Sequence, residues 1–273
     1  KYPPNMKCDS YSLRLGRPEF MWWRNQIFKL RIGWEYTGVL HEYAHCPSKP
    51  KEEVNVQKLD GDYFVVARTE GNRNVGITPK EKYTRDAETL LSALTNPDDP
   101  NYAPTNERYQ FYLAQSYFDS QQFEKSFEAY SKRVEMGGWE EECFYSLFRM
   151  AMLAGAMEKP FVEVCELLRQ CYEYRPIRAE PLVELSRLYR MNNRPRTAYL
   201  YAKAAAELTL PAQDILFVSE DCYTWRALDE VSATAFFMFR FEEGYNATKK
   251  LLQENKMPAS EVERIKGNLV HYE

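Results

Sequence analysis

Two spacings of apolar and polar residues divide the chain. Up to about residue 80 they alternate over short runs, the pattern of half-buried strands. Ser10-Tyr11-Ser12-Leu13-Arg14-Leu15 reads as a strand closed by a Gly16-Arg17-Pro18 turn, Phe20 to Leu30 is an aromatic, cationic stretch, and strand character resumes from Gly33 to Leu40. Asp60-Gly61 signals a turn before a strand over residues 62–68, and residues 49–53 and 70–74 read as polar loops. From about residue 80 the spacing becomes helical. Tyr109, Tyr112, Leu113 and Tyr117, then Phe123, Phe127, Tyr130 and Val134, recur at three- and four-residue intervals. They predict two amphipathic helices joined at Asp119-Ser120.

A helix pair of this kind buries its apolar face only against neighbours, so copies are expected. Leu185, Ser186, Tyr189, Ala198, Ala202 and Ala205 repeat the order of Leu113, Ala114, Tyr117, Ser126, Tyr130 and Arg133; from Tyr117 to Tyr189 is 72 residues, two units of 36. Between them a unit over residues 140–174 carries Phe144, Leu147, Phe148 and Met150, then Phe161, Val164, Leu167 and Leu168. A weaker fourth copy runs through Ala235, Met238, Ala247 and Leu251 and ends at Pro258. Small residues in the first helix, an aromatic after them and alanines in the second resemble the tetratricopeptide repeat, whose unit is roughly 34 residues. That resemblance implies three to four helix pairs stacked as a short superhelix with a concave face. A non-repeat helical bundle would show similar amphipathicity and stays open. Arg24, Arg73, Lys82, Arg85, Arg108 and Arg133 read as solvated charges on exposed faces. The expected fold class is α+β, with a small β-rich segment over 1–80 and an all-α tetratricopeptide-like region over 81–273.

Composition narrows the classes of function. At 273 residues and 44% hydrophobic, the chain has material for one large core or two ordinary ones. A net charge of −4 argues against a generic nucleic-acid binder, whose affinity rests on neutralising phosphates. No run approaches the ~18 apolar residues of a membrane span. Six cysteines without a C-x-x-C pair, and no secretory signal at the start, point to reduced thiols in a cytoplasmic setting. The opening Lys1-Tyr2-Pro3-Pro4 suggests the C-terminal portion of a longer protein.

The chemistry-bearing segment is residues 34–45, Trp-Glu-Tyr-Thr-Gly-Val-Leu-His-Glu-Tyr-Ala-His, in which two of three histidines form a literal H-E-x-x-H. On a helix, His41 and His45 would grip one Zn²⁺ while Glu42 activates water, as in a zinc metalloprotease. Pro47, the β-branched and aromatic approach, and the absence of a nearby third histidine argue instead for a strand end. A surface strand end with two solvated histidines is the plain alternative.

Taken in order, Arg24 to Lys29, Trp34 to Glu42, Gly71 to Asn74, Lys82 to Asp86, Arg108 to Tyr117, Lys132 to Val134 and Gly137 to Glu141 resemble the C-terminal part of a family-two-type glycosyltransferase of the GT-A fold carrying tetratricopeptide-like repeats. The resemblance implies a metal-dependent transferase using a nucleotide-sugar donor and an unknown acceptor. Mn²⁺ or Mg²⁺ would act as Lewis acid on the departing diphosphate. It makes His41 a candidate metal ligand, Glu42 a catalytic or positioning residue, Trp34 and Tyr36 candidates for stacking on a sugar ring, and Arg73 a candidate phosphate contact. The usual D-x-D does not precede His41: the only upstream aspartate is Asp9, and Asp60-Gly61-Asp62 follows it and suits a turn. The segment alone is therefore expected to be inactive. The alternative is a non-enzymatic repeat scaffold binding a protein partner in its groove.

Overall fold

The computed structural model describes residues 6–17, 20–66 and 76–272. The chain forms two compact units, residues 1–122 and 123–273.

The first unit starts with a small sheet. Strand β1 (Ser10–Arg17) pairs antiparallel with β2 (Phe20–Phe28), with a register shift between Tyr11 and Ser12. On its other edge β1 takes two short parallel partners in succession, β5 (Val56–Lys58) and β6 (Val65–Val66). The strand expected over 62–68 is thus two residues long within the described chain. Buried Asp9, just before β1, accepts from Lys49 Nζ at 2.7 Å and from the Asn55 amide at 3.1 Å, fixing the 49–55 segment against the sheet. A separate two-stranded ribbon joins β3 (Glu35–Thr37) to β4 (Tyr43–His45).

Strands then give way to helices. Helix α1 (Pro79–Thr95) opens on a capping box in which Thr78 and Glu81 satisfy each other's backbone amides, with Pro79 in the first turn where it costs no hydrogen bond. Helix α2 (Glu107–Asp119) is capped by Asn106 and packs on α1.

The second unit is a succession of helices, each packed on the next: α3 (Phe123–Met136), α4 (Glu140–Ala156), α5 (Phe161–Tyr174), α6 (Glu180–Met191), α7 (Pro195–Ala206), α8 (Ala227–Thr234) and α9 (Phe241–Glu254). A short α10 (Val262–Gly267) follows. Ala151, Ala154, Ala179 and Ala205 lie in one core with Val164, Leu168, Leu182 and Leu185. Small side chains let the helices approach, and leucines fill the space between them.

The turns show that the units repeat. After α2, α4, α6 and α8 the chain passes through a left-handed residue: Gln121 (φ 64°), Glu158 (φ 55°), Asn193 (φ 58°) and Phe239 (φ 57°). In every case that residue's amide donates to the carbonyl three positions back, and the next amide to the carbonyl five back: Gln121 to Phe118 and Gln122 to Tyr117, Glu158 to Gly155 and Lys159 to Ala154, Asn193 to Arg190 and Arg194 to Tyr189, Phe239 to Phe236 and Arg240 to Ala235. Residues 121, 158, 193 and 239 lie 37, 35 and 46 residues apart. The long last interval falls in the connection 207–219 and in the π turn Cys222–Arg226 that opens the helical run into α8.

One charge departs from expectation. Arg133 is not solvated but fully buried, donating to Glu142 Oε2 at 3.0 and 2.9 Å and to the Gly137 carbonyl. Arg108 is half-buried. Both lie beneath aromatic or acidic partners that the neighbouring segment supplies.

Candidate functional site

The H-E-x-x-H segment lies on a hairpin, not a helix. His41 occupies the bend between β3 and β4 in a left-handed conformation (φ 53°), and His45 ends β4 opposite Glu35. One helical turn is what aims i and i+4 imidazoles at a shared zinc; here that turn is absent, which rules out the metalloprotease geometry.

The tip is held by α2. The His41 imidazole stacks on Tyr112 at 3.8 Å between centroids and 5° between planes. The Arg108 guanidinium lies 4.8 Å from the Tyr112 ring and 5.0 Å from the Tyr43 ring, and its Nη2 donates to the His41 carbonyl at 2.8 Å. Stacking, cation–π contact and a charge-assisted hydrogen bond thus link His41, Tyr112 and Arg108 to one another. Glu42 is exposed, and its carbonyl accepts from Arg24 at 3.3 Å. Trp34 sits 5.0 Å from Phe28, and its buried indole Nε1 has no hydrogen-bond partner among the described residues. Tyr36 meets the same Phe28 edge-on at 6.4 Å and is 59% exposed. Trp34 and Tyr36 therefore gather at Phe28, whereas His41 gathers with Tyr112 and Arg108. Arg73 lies outside the described residues. Asp60 binds Arg14 at 2.8 Å and the Gly61 amide at 2.9 Å, so this aspartate of the D-x-D shapes a turn. Among the described residues, no group of three or more His, Cys, Asp and Glu is placed to hold a metal ion.

A second, denser constellation lies in the helical unit. The connection 207–219 returns to the N-terminal turns of α4 and α6. One carboxylate oxygen of Glu141, in the first turn of α4, accepts the amides of both Ile215 and Leu216 at 2.7 Å. Arg175 and Arg178, from the turn between α5 and α6, bracket Asp214: Arg175 Nε donates at 2.8 Å and Arg178 Nη1 at 3.2 Å. Arg178 also donates to Glu180 at 2.7 Å and to the Phe217 carbonyl at 3.1 Å, and its guanidinium lies 4.4 Å from the Phe144 ring. Phe217 meets Tyr145 of α4 at 4.7 Å. Glu180 accepts from the Ser219 amide at 3.0 Å and from the Tyr223 hydroxyl at 3.1 Å.

The electrostatics follow from burial and pairing. Arg178 is 1% exposed, yet its hydrogen bonds and charge partners offset the burial and keep it a cation. The hydrogen bond from Arg175 holds the Asp214 carboxyl below its ordinary value, with Arg178 adding to the effect. Burial pushes the Tyr223 phenol up, reinforced by the charge of Glu180. Chemically the constellation supplies three recognition elements: a carboxylate for main-chain amides, paired guanidinium groups for an acid, and an aromatic face.

No protein-family model matches the chain, and no curated protein matches it either. Similar solved structures include MamA (13% identity over 65% of this chain and 91% of that one, TM-score 0.47). Another is YrrB, described as a TPR protein with an unusual peptide-binding site (10%, 68% and 84%, TM-score 0.46). A third is TTC0263, a thermophilic TPR protein of Thermus thermophilus (12%, 70% and 92%, TM-score 0.42). The helical region is tetratricopeptide-like. Its successive helix pairs recur at 37 and 35 residues, near the roughly 34-residue tetratricopeptide unit.

These findings correct the glycosyltransferase expectation. The solved structures it resembles are described as TPR proteins rather than glycosyltransferases, and residues 1–80, expected as the tail of a GT-A domain, form a small four-stranded sheet and a two-stranded ribbon whose His41 packs on Tyr112 of α2 within the described residues. Tyr145, Arg175, Arg178, Glu180 and Asp214 do not stand out in the sequence, and Glu141 does so only as the end of the Gly137 to Glu141 run. The available signal was two arginines in one interhelical turn, Arg175-Pro-Ile-Arg178, and a lone aspartate before Ile215-Leu216-Phe217.

Proposed function

We propose that this protein is a helical-repeat interaction scaffold that holds a peptide segment of a protein partner against the N-terminal turns of α4 and α6. The observation that carries the reading is Glu141, whose carboxylate binds two successive main-chain amides of a segment lying on these helices. A side chain that grips amides engages any chain laid in that path, whatever its side chains. Arg175, Arg178 and Tyr145 then add preference for an acid and a ring. Main-chain capture plus side-chain pockets is how peptide-recognition modules divide affinity from specificity. Six cysteines without a disulfide fit a reducing compartment, and we assign the scaffold to the cytoplasm on that ground. Among the described residues, no helix is long and apolar enough to cross a membrane.

The test is selection from a displayed random-peptide library on the full chain. Enriched peptides whose affinity falls at least tenfold on Glu141→Gln support the reading. A library that yields no peptide sensitive to Glu141, either on the native chain or on a chain whose residues 211–219 are replaced by a Gly/Ser segment, overturns it.

A further inference from the structure

We propose that residues 213–218 are a built-in occupant of the α4/α6 site, and that the partner they stand in for presents an acidic residue three positions before an aromatic one. The inference rests on the scaffold reading and specifies its ligand.

Four observations converge. Successive turns recur at 37 and 35 residues and then at 46, and that excess over the unit length falls in the connection 207–219 with the π turn. The segment is fastened by recognition contacts rather than by a core of its own. Its acid enters the Arg175–Arg178 pair, its amides meet Glu141, and its ring meets Tyr145, while Ile215 between them is 70% exposed. Phe217 is held left-handed at φ 46°, a conformation unfavourable for a residue with a Cβ. Strain of that kind persists only where the surroundings impose it. Finally, Arg175 and Arg178, each also paired with a glutamate (Glu140 and Glu180), meet Asp214 at one end and Tyr145 meets Phe217 at the other, which matches an Asp-x-x-Phe pattern.

The segment therefore acts as an intramolecular competitor. An external peptide of the same pattern replaces each contact without new chemistry, and the tether sets how much free peptide is needed.

The experiment uses a fluorescent peptide with the sequence of residues 211–219 and the full-length chain in three forms: native, Asp214→Asn with Phe217→Ala, and residues 211–219 replaced by a Gly/Ser segment of equal length. Variants are read only if their far-UV circular dichroism matches the native chain. The expected result is at least tenfold tighter binding to either opened form than to the native one. Replacing the acid or the ring within the peptide should lower that binding at least tenfold. On the native chain, millimolar peptide should speed hydrogen exchange at the Ile215 and Leu216 amides, a reading that needs no variant. Equal or absent binding of this peptide to native and opened forms, with no change in exchange, overturns the proposal. If the opened forms still select unrelated library peptides dependent on Glu141, the scaffold reading stands and only the built-in occupant falls. If they select none, both fall.

Discussion

Arg178 concentrates more of the helical unit's electrostatics than any other residue described above. It is buried, stacked over Phe144, and shared by Glu180, Asp214 and the Phe217 carbonyl. Removing one member of a buried charged cluster strands the others without water, a larger penalty than the cluster's net worth. Arg178→Ala is therefore expected to lower stability by about 3–5 kcal/mol in denaturant unfolding, whereas Arg169→Ala, which breaks an exposed pair with Glu166, should cost under about 1 kcal/mol. Asp214 adds a pH dependence. Its pKa is depressed in the folded chain, so its contribution is complete above the ordinary carboxylate value of 3.8 and is lost as pH falls through the lower folded value. Proteolysis or hydrogen exchange confined to 211–219 should rise below about pH 4, ahead of the loss of helical signal. His41 shows contacts that its letters do not suggest: its ring stacks on Tyr112 and its carbonyl accepts from Arg108.

Among elements, the turn between paired helices is the recurring piece. Each uses a left-handed residue that is not glycine, although glycine adopts that conformation at no steric cost. Glu158 is exposed there, so Glu158→Gly should be stabilising by up to about 1 kcal/mol, less the extra freedom glycine gives the unfolded chain. A thermal melt decides it, and a fall in midpoint would show that Glu158 contributes a contact of its own. Asn193→Gly should gain less, because asparagine tolerates this region. The choice of Gln, Glu, Asn and Phe also explains why the turns were faint in the sequence. Helices α2 to α7 were legible from three- and four-residue spacing, and the junction after α2 from Asp119-Ser120. No glycine marked the other turns, and the lengths of α8 and its preceding π turn broke the unit spacing.

For the molecule as a whole, legibility followed sequence distance. The small β-rich segment and the helical region were readable because each strand or helix carries its own period. Arg133 was misread because a charge on a helix suggests solvent, and its partner Glu142 lies across a turn on the next helix. The α4/α6 site was invisible because its contacts join residues 74 and 75 positions apart, Glu141 to Ile215 and Leu216, and no local pattern records that pairing. The same separation sets an order in time. Helices that pack on their sequence neighbours close short loops and form early, while a contact across such a span waits for both ends. In chain order α4, α5 and α6 all precede residue 214, so the contact of Glu141 with Ile215 and Leu216 is among the later ones to close. On the proposed reading, a partner of the Asp-x-x-Phe pattern competes with residues 213–218 most readily before that late contact has closed.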